Sequence, residues 1–90
     1  MNKNNRTLEE TFLEALQIYK KKDFKTAQAI CNKILSIDAN HFNSLSLLAS
    51  VSAISGDFKN AKHLLEKAIK IEPGNISALN NLGTAHKELG

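Results

Sequence analysis

Few residues of this chain have the type and spacing that chemistry requires. Cys31 is the single cysteine, so no internal disulfide forms and no pair of thiolates is available to zinc. Its neighbours Ile30 and Ile34 suggest a buried structural thiol, and no histidine or lysine clearly stands ready to activate it. His41, His63 and His86 lie 22 and 23 residues apart, without the short spacing of metal ligands. They are expected to be surface or packing histidines. Glu9, Glu10 and Glu14 cluster near the start of the chain. Acidic residues in a first helical turn complement the helix dipole, so a solvated face is expected there rather than an acid–base pair. Gly56, Gly74, Gly83 and Gly90 are scattered and build no phosphate loop, and no local motif gathers Ser, His and Asp. The expectation is a chain that is not an enzyme and uses no cofactor or metal.

Charge and hydropathy narrow the class further. The net charge is +3, with an isoelectric point near 9.1. The main basic run, Lys20-Lys21-Lys22, falls at an expected helix end, where cations complement the dipole. A nucleic-acid surface would gather its basic residues on one stripe, so no nucleic-acid partner is expected. The start of the chain is polar and lacks the apolar stretch of a signal peptide. No run approaches the roughly 20 apolar residues of a membrane span. No membrane partner is expected, and the cytoplasm is the expected compartment.

The side chains must be positioned by helices, and the chain shows how by repeating itself. Asp23-Phe24 recurs as Asp57-Phe58, Ala27 as Ala61, Lys33 as Lys67 and Ile37 as Ile71, each 34 residues apart. Leu45 recurs as Leu79, Leu48 as Leu82 and Gly56 as Gly90 at the same offset. One phase held across the chain is the mark of a repeat architecture. Each period reads as two helices. The spacing predicts helices over 7–21, 24–36, 42–55, 58–71 and 76–89. Thr7 with Glu10 forms a capping box, and Asp23, Asp57 and Asn75 are expected N-caps. Connections of about two to six residues require successive helices to pack antiparallel.

Small residues recur where helices must approach closely: Ala15, Ala49 and Gly83 in each first helix, Ala27 and Ala61 in each second. Leu48, Leu65, Ala68, Ile69 and Ile71 complete one repeat's apolar face, and Cys31, Ile34, Leu35 and Ile37 that of the repeat before.

The spacing of Leu48-Ala49, Gly56-Asp57-Phe58, Ala61, Ala68 and Pro73, with the run Leu79-Asn80-Asn81-Leu82-Gly83, resembles a tetratricopeptide repeat. The likeness covers about residues 8–90. The first repeat departs from it: Glu14 stands where Leu48 and Leu82 stand later, and Ala39 replaces proline. The resemblance implies an all-α fold of about five helices, stacked as antiparallel hairpins into a right-handed α-solenoid. It divides the chain into a disordered tail (1–6), a first repeat (about 8–41), a second (about 42–75) and a half repeat (76–90). It implies a scaffold that binds a protein or peptide in the concave groove lined by first helices.

Projection assigns the groove-facing residues. They are Glu9, Phe12, Leu13, Leu16 and Tyr19 in the first repeat; Asn43, Ser46, Leu47, Ser50 and Ile54 in the second; Ser77, Asn80, Asn81, Thr84 and Lys87 in the third. The binding set expected from these is Phe12, Leu16, Tyr19, Leu47, Ser50, Ile54, Asn80 and Asn81. At 100° per residue Leu8, Phe12, Ala15, Leu16 and Tyr19 span roughly 100° of arc. Either the first helix rolls to improve its own packing, or Phe12, Leu16, Tyr19, Leu47 and Ile54 form an apolar partner surface. The family's best-known peptide site clamps a carboxylate with Lys, Asn and Arg. Of the matching positions Phe12, Leu16, Leu47, Ser77 and Asn81, only Asn81 fits, which argues against that clamp. Asn81 resembles the groove asparagines with which O-linked sugar transferases hold extended peptides.

The chain stops at Gly90, the phase of Gly56, with no second helix after it. The pattern implies a piece of a longer array, with Leu79, Leu82, Ala85 and Leu89 partly open and able to drive self-association. A different reading makes the repeats the N-terminal substrate-presenting or oligomerisation arm of a larger sugar, sulfo or methyl transferase.

Overall fold

A computed structural model describes residues 7–90; the tail expected over residues 1–6 lies outside the described residues. Five helices follow in order: α1 (Leu8–Lys20), α2 (Phe24–Ile37), α3 (Phe42–Ile54), α4 (Phe58–Ile71) and α5 (Ile76–Leu89). No strand occurs among the described residues. Each helix packs against the next, and α1 also touches α3. The result is an all-α repeat solenoid, elongated at 51 × 27 × 19 Å.

Local chemistry sets the helix starts. The Thr7 hydroxyl accepts the Glu10 N–H at 3.1 Å, while the Glu10 carboxylate accepts the Thr7 N–H at 2.9 Å. Asp23 accepts the Thr26 N–H at 3.2 Å, Asp57 the Asn60 N–H at 3.1 Å and Asn75 the Ala78 N–H at 2.9 Å. The first helical N–H groups have no partner within the helix, so each of these oxygens satisfies one of them. Hydrogen bonds from the Thr26 side chain and backbone hold the Asp23 carboxyl below its ordinary value. The turn between hairpin partners is also repeated. Lys22 and Gly56, at one phase, take left-handed backbones with φ of 68° and 84°. This conformation suits glycine and strains a residue that carries Cβ.

The core follows the small residues. Ala15, Ala27 and Ala68 are wholly buried, Ala61 and Ala49 nearly so, with Cys31, Ile34, Leu45, Leu48 and Leu65 around them. Three expectations need correction. Ile37, expected in the core, is 68% exposed, because it ends α2 on an outer face that no other described helix covers. Gly83, expected at a close helix approach, has open space instead: a Cβ there would meet nothing within 4 Å. Ala85 was expected to stay partly open but is buried where α5 meets α4, whereas Leu79 and Leu89 are exposed as expected.

Candidate peptide-binding groove

The first helices α1, α3 and α5 together line an open cavity of about 350 Å³. Six of the eight residues expected in the binding set border it: Phe12, Leu16, Tyr19, Leu47, Ser50 and Asn81. Ile54 lines a neighbouring cavity with Tyr19, Ser50 and Asn81, and Asn80 lines neither. The two cavities thus share Tyr19, Ser50 and Asn81.

The expected apolar surface is only partly open. Phe12 and Leu47 are 8% and 6% exposed, so they form the floor of the groove and belong to the core rather than standing as free anchors. The cause is the contact of α1 with α3, which carries Phe12 against the His41 ring at a centroid distance of 5.8 Å. Leu16, Tyr19 and Ser50 are half-buried, and Ile54, Asn80 and Asn81 are exposed. Leu13 is also exposed but borders neither cavity.

No charged side chain lines the larger cavity. Its polar groups are neutral amides and hydroxyls, including Asn43, Ser46, Ser50, Ser77 and Asn81. Ser46 Oγ is buried and has no hydrogen-bond partner among the described residues. Side-chain amides both donate and accept, and so can pair with either group of a peptide bond.

Sequence reasoning missed one arrangement. His41 is buried and caps α3. Its Nδ1 accepts the Ser44 backbone N–H at 3.3 Å and lies 2.9 Å from Ser44 Oγ; its Nε2 lies 2.9 Å from Glu9 Oε2. A backbone N–H can only donate, so Nδ1 carries no proton and the Nε2–H donates to Glu9. The order Ser–His–Glu is that of a nucleophile, its base and an orienting carboxylate. Ser44, however, has no exposed surface, so its oxygen is closed to a substrate and the arrangement acts as a tie between α1 and α3. The signal was present in the sequence: Thr7, His41 and Asn75 stand 34 residues apart, all in the N-cap slot of a first helix.

Cys31 is buried as expected, and burial pushes its thiol up to about 11 despite a hydrogen bond with Ser44. Among the described residues no group of His, Cys, Asp and Glu is placed to hold a metal ion, and no helix is long and apolar enough to cross a membrane.

Comparison with known proteins decides the family. A family model described as anaphase-promoting complex, cyclosome, subunit 3 matches residues 20–90. The chain belongs to that family. Its repeats are of the tetratricopeptide type, as the 34-residue period and the stacked hairpins require. No curated protein matches the chain. Membership in the anaphase-promoting complex subunit 3 family points to a protein-interaction repeat module.

Proposed function

We propose that this chain is a protein-interaction scaffold that holds an extended peptide segment in the groove of α1, α3 and α5, without catalysis. The carrying observation is the chemistry of that groove: an apolar floor under neutral amides and hydroxyls, with no charged side chain along it. Such a surface suits a peptide main chain. Its N–H and C=O groups find amide and hydroxyl partners, while its apolar side chains rest on Leu16 and Tyr19. The family name supports the same reading, since it is that of one subunit of a multi-protein complex.

The test begins with peptides selected from a random display library on the immobilised full chain. Their affinities are then measured by fluorescence anisotropy. Asn81 is exposed and Leu16 is half-buried against the core, so circular dichroism first checks that the double variant is folded. The Leu16→Ala, Asn81→Ala double variant should bind about tenfold more weakly, the equivalent of about 1.4 kcal/mol. Selected peptides that bind this variant as tightly as the parent chain would put the site elsewhere.

A further inference from the structure

The repeat supplies its own internal control for the smaller cavity. The 34-residue offset aligns Phe24 with Phe58 and Tyr19 with Ala53. In the first hairpin the Tyr19 ring lies edge-on to Phe24, with centroids 5.4 Å apart and an interplanar angle of 61°. In the second hairpin the phenylalanine is kept and the tyrosine is lost. Where a ring would lie against Phe58 there is a cavity of about 200 Å³. Phe58, Ala61, Leu65 and Ala85 line it, Ile54 and Tyr19 stand beside them, and Ser50, Asn81 and Thr84 supply its polar groups.

We infer that this cavity is a subsite for one aromatic side chain, carried by a peptide lying in the groove. The inference rests on the groove reading above and names the side chain that such a peptide must present. Size agrees, because an apolar cavity of roughly 150 Å³ already holds a benzene ring. Shape agrees, because an aromatic side chain entering here meets Phe58 as Tyr19 meets Phe24, in the edge-to-face arrangement that rings favour. Charge agrees too. No ionised side chain lines the cavity, so a lysine or glutamate side chain would be desolvated without a partner. Asn81 and Thr84 can bond a phenol or the adjoining main chain. In α5 the same phase is held by Lys87, so the subsite belongs to the second hairpin alone among the three repeats.

The experiment follows backbone amide resonances of the isotope-labelled full chain during addition of N-acetyl-phenylalaninamide or N-acetyl-alaninamide. The aromatic probe should shift the amides of Ala53, Ile54, Phe58, Thr84 and Ala85 with saturation on the order of millimolar, and the alanine probe should not. Ala53→Tyr places the ring that the first hairpin already has. It should raise Tm and abolish the response to the aromatic probe. Equal responses to both probes, no response at these amides, or an Ala53→Tyr chain that still responds would each overturn the subsite. The selected peptides separate this inference from the groove reading. If Ala53→Tyr binds them as tightly as the parent while Leu16→Ala, Asn81→Ala does not, the subsite fails and the groove stands. If neither change weakens binding, the groove reading fails, and the probe titration still decides the cavity.

Discussion

Replacing His41 by alanine should destabilise the fold by about 2 to 3 kcal/mol, far more than replacing its partner Glu9. The magnitude comes from what each atom of the ring does. Nδ1 caps α3 through the Ser44 N–H, and losing an N-cap costs about 1 kcal/mol. The same nitrogen serves the Ser44 hydroxyl, which has no exposed surface. That hydroxyl would be left with the sulfur of Cys31, a weak partner, at a further cost of about 1 kcal/mol. The ring also packs against Phe12, so truncation opens a hole in the contact between α1 and α3. The share of the Glu9 bond is small, because Glu9 is 67% exposed and such surface contacts contribute about 0 to 1 kcal/mol. His41→Asn keeps a capping oxygen and should recover about 1 kcal/mol of the loss. The assay is urea unfolding followed by circular dichroism at pH 7.5, with Glu9→Ala alongside. A His41→Ala chain within about 0.5 kcal/mol of the parent, or a Glu9→Ala chain equally weakened, would refute the cap as the main contribution.

Two further changes separate contributions that the helix pattern alone does not. Gly83 lies within α5 with open space where a Cβ would stand, so Gly83→Ala should stabilise by about 0.5 to 1 kcal/mol in thermal unfolding. Burial raises the Cys31 thiol to about 11 from an ordinary 9.0. A raised acid favours the fold while protonated, so its contribution is complete below about pH 9 and is lost as pH rises through about 11, to the extent of about 2 to 3 kcal/mol. The difference in unfolding free energy between the parent and Cys31→Ala should shrink across that window. A constant difference would show that the thiol ionises alike in the folded and unfolded states.

Helix positions were legible because their causes are local. Caps at Thr7, Asp23, Asp57 and Asn75 act within three residues, and one 34-residue phase repeats them. The burial of Phe12 and Leu47 was not legible. Both lie on the groove side of their helices, and only the approach of α1 to α3 makes that side a floor. The exposure of Ile37 depends likewise on which helices flank the stack, not on its own apolar character. Six of the eight expected groove residues came together at the larger cavity because helical phase fixes which residues share a side, while depth is settled between hairpins.

A repeat makes its departures more informative than its agreements. Where the phase is kept, the residue serves the stack: Asp23 and Asp57 cap, Phe24 and Phe58 stand at the start of a second helix, and Ala27 and Ala61 lie in the closest contacts. Where the phase is kept but the residue changes, the fold has accepted a loss or gained a local task. Lys22 takes the left-handed backbone that Gly56 takes without strain. His41 holds the cap slot of Thr7 and Asn75, but its second bond reaches across to Glu9 of α1, whereas those of Thr7 and Asn75 go to Glu10 and Glu72, three residues away. Ala53 gives up the ring that Tyr19 packs on Phe24 and leaves Phe58 lining an open space. Lost aromatic packing weakens a hairpin unless another ring replaces it. The cavity beside Phe58 is therefore the place where a bound side chain would return to the second hairpin what the first already has.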